Sequence, residues 1–383
     1  MSDVEQRHGG ERDGSLVDVV RRCDLILTCG PGGVGKTTTA AALGVAAARA
    51  GRRTVVVTVD PARRLADALG LAQGAAADQP HQVPEVTRRS TDGELWALML
   101  DAEKTFDRLV RSQSANRAQA EAVLNNPVYQ AISGSLSGAQ EYMAIERLHE
   151  LHVSGEWDLV IVDTPPSRHA IDLLEAPDRL VGFLGHPIYR ALTVGQRTFA
   201  KVTDAASSMF LWAVKRLAGP QIVEDTVEFF RSLANIEGGL RRRAKEVSKL
   251  LRADSTAFVV VSSPRAEAVG EAGHLLDAVG EKGFPLGGLV VNLIHPLPVA
   301  LSDDDEGLLA DLDDGPLLDH LAWHRELSTL ALAERREIEA LEALAADAPV
   351  VELPLLDVDV HDVEGLVGLA SRLVERADPP GSS

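Results

Sequence analysis

Seven short stretches of the chain are apolar at almost every position and rich in branched side chains: Leu25–Cys29, Thr54–Val59, Glu94–Leu100, Trp157–Val162, Thr256–Val261, Gly288–Asn292 and Val350–Leu353. Unbroken apolarity, in place of strict alternation, predicts strands covered on both faces, as in a parallel sheet. The segments between them carry helical patterns. An alanine-rich helix opens at Thr38–Leu43 and ends at Gly51-Arg52-Arg53, and helical material is predicted from Ala102 to about Ala122. A long charged helix is predicted from about Leu317 to Ala346, with Leu327, Ala331, Ile338 and Leu341 on one side. Residues 71–93 read as a polar excursion. No convincing strand occurs between Arg179 and Leu251, where Val223, Val227, Phe230 and Leu233 keep one helical face. Met209–Val214 is apolar all round, more the mark of a core than of an adaptable groove. The fold class is α/β: a mostly parallel, doubly wound sheet with helices on both faces. Residues 1–18 read as a loose tail and 19–378 as one domain, with helical insertions at about 106–135 and 181–250 and an acidic loop at about 301–315.

The first strand leads into Gly30-Pro31-Gly32-Gly33-Val34-Gly35-Lys36-Thr37-Thr38. Gly, four residues, then Gly-Lys-Thr between a strand and a helix is the phosphate-binding loop pattern of a P-loop nucleotidase. The glycines let successive N–H groups curl around an anion, and the helix start adds partial positive charge. Lys36 is placed to reach the β- and γ-phosphates, and the Thr37 hydroxyl to ligate Mg²⁺. Gly30, Gly32, Gly33, Val34, Gly35 and Thr38 supply the rest of the cradle.

Two further strand ends carry carboxylates, Asp60-Pro61 and Asp163-Thr164, at the sheet edge where open parallel sheets bind ligands. An apolar strand ending in Asp is the Walker B arrangement, with Asp163 beside Mg²⁺, directly or through water. Asp60 is the candidate that orients the attacking water; on spacing alone it reads equally as a strand-end cap before Pro61. The region of Asn292 completes the crevice. No Asn-Lys-x-Asp guanine motif occurs, which favours ATP over GTP.

Composition narrows the partners. The 383 residues are 45% hydrophobic and carry a net charge of −19, which argues against nucleic acid or an anionic membrane as a general partner. The two cysteines, Cys23 and Cys29, have no metal-ligand spacing. No N-terminal apolar region and no apolar run of membrane-spanning length occurs, so a cytoplasmic protein is expected.

Taken together, these segments resemble the family of arsenite-pump ATPases (ArsA) and guided-entry ATPases that target tail-anchored proteins, within the deviant-Walker branch that includes MinD and ParA. Within it the chain is most similar to the paired actinobacterial members known as anion-transporting ATPases. The residues that carry the resemblance are the loop at 30–38, Asp60-Pro61-Ala62 with Leu65-Ala66-Asp67, Glu141, and Asp158 through His169 with Leu173-Leu174 and Pro177. Glu271, Val291-Asn292 and Val351–Leu356 ahead of Gly365 complete it. The resemblance implies that Asp60 is the water-activating switch aspartate, Asp163 the metal aspartate and Asn292 an adenine contact, with Pro354 and Leu355 in a loop that closes over the adenine. It also implies ATP and Mg²⁺, a dimer that closes on the nucleotide, and a helical subdomain handling a membrane-protein cargo or serving a membrane pump. Members carry a lysine after the first glycine that crosses the dimer; this chain has Pro31 there, which implies a heterodimer with a homologous ATPase subunit, a slow enzyme, or a homodimer without that charge. Arg63 and Arg64 stand where members carry His and a small polar residue, and read as solvated switch arginines or as an arginine finger. Thiol triads and zinc-clamping cysteine pairs are missing from the sequence. Two other readings stay open: a catalytically weak nucleotide-binding subunit acting as an interaction module, and a MinD/ParA-like positioning ATPase. The second calls for an amphipathic or basic tail that Val374–Pro380 does not provide.

Overall fold

The computed structural model describes residues 15–59, 65, 68–69, 78–87, 93–127, 139–186, 228–229, 232, 234, 236–300, 315–360 and 362–375. Eight strands make one sheet: β1 Leu25–Cys29, β2 Arg53–Thr58, β3 His81–Gln82, β4 Glu94–Met99, β5 Leu159–Asp163, β6 Thr256–Ser262, β7 Leu286–Ile294 and β8 Val350–Pro354. The described helices are α1 Val17–Arg22, α2 Lys36–Arg49, α3 Pro84–Thr87, α4 Ala102–Gln113, α5 Arg117–Leu124 and α6 Ala139–Ser154, followed by α7 Ser167–Gly185, α8 Glu237–Leu251, α9 Ala266–Glu281, α10 Pro316–Leu344 and α11 Val363–Val374. The spatial order of strands is β3-β4-β2-β5-β1-β6-β7-β8, parallel throughout except for β3 against β4.

The unbroken apolar runs are explained by helices on both sides. Successive strand residues point to opposite faces. Ile26, Val56, Ile161, Val259 and Val290 pack on one face with α2 and α11. Their neighbours Leu27, Val57, Val162, Val260 and Val291 pack on the other with α6, α7, α9 and the C-terminal half of α10. Each such side chain contributes about 1.5–3 kcal/mol by leaving water. A third core contains no strand residue: Leu109, Val123, Met143, Leu184, Leu240 and Ala244 join α4, α5, α6, α7 and α8.

The structure corrects some boundaries. The expected tail ends sooner, because Leu16 is fully buried and its N–H donates to the Leu373 carbonyl at 2.9 Å, so Val17 and Asp18 already belong to α1. Trp157 precedes β5 instead of opening it and meets Trp96 edge-on under the Arg53 guanidinium. The two-residue β3 had no apolar run to announce it. Met209–Val214, Val223, Val227, Phe230, Leu233 and the acidic loop lie outside the described residues.

Candidate functional site: the β1–α2 loop and its neighbours

The loop leaves β1 through Gly30, whose φ is +155° and where any Cβ would run into the carbonyl oxygen of Val261 on β6. It enters α2 through Gly35, in the left-handed region at φ +93°. As the N-cap residue Gly35 offers no side chain to the first turn, and that turn holds no acidic residue. The first amides of α2 therefore lie beyond reach of the helix's own carbonyls, with the positive end of the helix dipole behind them. Gly32 and Gly33 border open space, since a Cβ at either would meet nothing within 4 Å. Lys36 is buried and its ammonium donates to the Pro31 carbonyl at 2.6 Å, so the cation is held inside the curl of the loop.

Asp163 ends β5 in register with Thr28 on one side and Thr58 on the other. Its carboxylate is 1% exposed. Oδ2 accepts from the Thr37 hydroxyl at 2.8 Å and from the Thr58 hydroxyl at 3.1 Å. Thr164 fastens the next residue by donating to the Thr28 carbonyl at 2.8 Å. Beside them, burial pushes the Cys29 thiol up to about 11, so it stays neutral and unreactive next to the loop.

On the far side β7 is irregular: its register against β8 shifts between Val291 and Ile294, and Leu293 sits at φ +64°. A bulge of this kind re-aims a side chain. Here Asn292 turns onto the loop, and its amide donates to the Val34 carbonyl at 2.9 Å. Pro354 ends β8 beside Ile294, and the Leu355 N–H donates to the Ile294 carbonyl at 2.7 Å.

Donor chemistry decides whether the site fits the group its sequence implies. A threonine hydroxyl and a buried carboxylate, 2.8 Å apart at the start of α2, are the hard oxygen donors that Mg²⁺ takes along with waters and phosphate. The amide-lined curl with Lys36 inside matches a polyphosphate. The residues fit MgATP.

Comparison with known proteins agrees with that donor set. Residues 23–303 match the family model for the anion-transporting ATPases, ArsA_ATPase. The chain belongs to the ArsA ATPase family. It is accordingly an ATPase of the P-loop class. Similar curated proteins include ATPase GET3B of Arabidopsis thaliana, 27% identical over 355 residues, covering 88% of this chain and 75% of the relative. ATPase get3 of Aspergillus terreus is 25% identical over 379 residues, covering 96% and 95%. ATPase GET3C of Arabidopsis thaliana is 26% identical over 375 residues, covering 94% and 84%.

The structure brings Gly30–Thr38, Asp163 and Asn292 together and puts Pro354 and Leu355 against Ile294, two residues beyond Asn292. Asp60, Arg63 and Arg64 lie outside the described residues. Sequence reasoning missed Thr58 and Leu293. A hydroxyl closing a run of valines was a visible signal for Thr58; nothing local marks the bulge at Leu293. Among the described residues no helix is long and apolar enough to cross a membrane.

Proposed function

We propose that the chain hydrolyses ATP to ADP and phosphate with Mg²⁺, and that this hydrolysis opens and closes a dimer. The observation that carries the reading is the Thr37–Asp163 hydrogen bond at the start of α2, beside a loop that holds Lys36 in its curl. Lys36 and the first-turn amides would bind the β- and γ-phosphates and stabilise negative charge that shifts toward the leaving oxygen. Thr37 and Asp163 would hold Mg²⁺, which when bound supplies charge neutralisation across the phosphates. Asn292 orients the loop and, with Pro354 and Leu355, would border the adenine.

Asp60 is assigned the water-orienting role. It is the next residue in sequence after Val59, whose N–H donates to the Asp163 carbonyl at 3.2 Å. For the dimer, an exposed apolar pair supports a subunit surface: Val299 is 87% and Trp323 74% exposed, and His324 Nε2 lies 2.9 Å from the Val299 carbonyl. Pro31 is buried and cannot cross to a partner, which favours a heterodimer whose other subunit brings the missing lysine. The strand-free core of α4–α8 would be the part that closure rearranges, with an apolar membrane-protein segment as the cargo class.

Steady-state phosphate release tests this. Lys36→Ala and Asp60→Asn should each lower kcat by about 100-fold or more, and Asp60→Asn should still bind MgATP. Absence of turnover by the wild type, both alone and with the related subunits that co-purify with it, would sink the enzyme reading. A pure homodimer by native mass would remove the heterodimer.

A further inference from the structure

One face of α8 stands apart from the charge balance of the chain. Its inner side, Leu240, Ala244, Val247 and Leu251, is buried in the helical and sheet cores. Its outer side presents Arg242, Lys245 and Lys249 to solvent, with Arg241 half-buried beside them and Glu246 at the edge. Glu237 pairs with Arg241 and Glu246 lies 3.7 Å from His149, but among the described residues Arg242, Lys245 and Lys249 have no carboxylate partner. Their spacing of three and four residues puts these cations on one stripe about 10 Å long. Three neighbouring cations left unpaired, in a chain with 57 acidic and 38 basic residues, form a local reversal of sign.

We infer that this face is a docking site for a short acidic peptide segment of a partner protein, with carboxylates at helical spacing. The chain's own charge selects that class over larger polyanions. A membrane or a nucleic acid presents negative charge across far more than one Debye length, about 8 Å at physiological salt, and would meet the repulsion of the −19 surface. An anionic membrane also rewards exposed apolar side chains next to the cations, and no large apolar side chain of α8 is exposed. A short acidic segment meets the stripe alone. None of these residues belongs to the nucleotide site, so the inference does not depend on ATP turnover.

The test uses the full chain without nucleotide and a fluorescein-labelled helical peptide with glutamates at every third or fourth position, read by anisotropy. Binding is expected, and raising salt from about 50 to about 300 mM should weaken it roughly tenfold. Lys245→Glu with Lys249→Glu should weaken it at least about tenfold, whereas Arg21→Glu with Arg22→Glu, the same charge change on α1, should alter it less than about twofold. All three proteins should keep the same urea midpoint and ATP turnover. If the α8 variant unfolds, Lys245→Gln alone serves, with a weakening of roughly threefold expected. Absent peptide binding, equal losses in the α8 and α1 variants, or cosedimentation with phosphatidylglycerol vesicles in place of peptide binding would each overturn the proposal.

Discussion

The Asn292 side-chain amide and the Val34 carbonyl oxygen lie 2.9 Å apart, joining the end of β7 to the phosphate loop across most of the sequence. This contact needs Gly35, because a Cβ there would strike the same amide nitrogen. Asn292 therefore acts on the loop's shape, in addition to its proposed place beside the base. Asn292→Ala removes one hydrogen bond worth about 1 kcal/mol, and MgATP affinity should fall roughly fivefold. Calorimetric titration checks it; unchanged affinity would mean that the loop is held without this contact.

Thr37 and Thr58 both reach one carboxylate oxygen of Asp163, but only Thr37 stands in the first turn of α2. The two should separate in function. Thr37→Ala is expected to lose about 100-fold or more in Mg²⁺-supported turnover, with Thr37→Ser largely restoring it. Thr58→Val, which deletes only a support of Asp163, should cost about tenfold or less. Phosphate release at varied Mg²⁺ distinguishes these outcomes, and equal losses at both threonines would remove the metal-ligand role of Thr37.

How far the sequence reached depends on the range of the forces involved. Strands such as Val55–Val57 and Val160–Val162 were legible because burial on both faces leaves a purely local signature. The loop at 30–38 was legible because few backbones can curl around phosphate. The tie between Asn292 and Val34 was not, since it depends on a bulge whose cause is the packing of β7 against β8. Nor was the pairing of Arg147 with Asp78, which only tertiary contact brings together.

Leu293, at φ +64°, holds a backbone conformation that L side chains with a Cβ adopt at a cost of about 1–2 kcal/mol. Leu293→Gly should therefore leave stability unchanged or raise it by up to about 1 kcal/mol, while the β-branched Leu293→Val should lower it by about 1–2 kcal/mol. Urea denaturation measures both. A large loss in the glycine variant would show that the Leu293 side chain, not its backbone, is what the fold requires.

The helical core has one buried charge whose pH dependence can be worked out. Glu146 is fully buried; it accepts from the Arg243 guanidinium at 2.7 Å and from the Tyr142 hydroxyl at 3.2 Å. Burial raises its carboxyl above the usual range, and Arg243 pulls it part of the way back. Arg243→Met leaves the carboxylate without its counter-charge, a change that costs about 3–5 kcal/mol for buried pairs. The sign follows from proton binding. A carboxyl raised in the folded state binds its proton more tightly there than in the unfolded chain, so stability is greatest below the unfolded value and is lost as pH rises through the folded one. Without Arg243 the folded value climbs further, and the deficit of the variant must grow with pH. Urea midpoints of both proteins at about pH 5.5 and about pH 8.5 should diverge toward the alkaline side. A deficit that is constant, or larger in acid, would mean that Arg243 supports α8 by packing and not by holding the charge of Glu146.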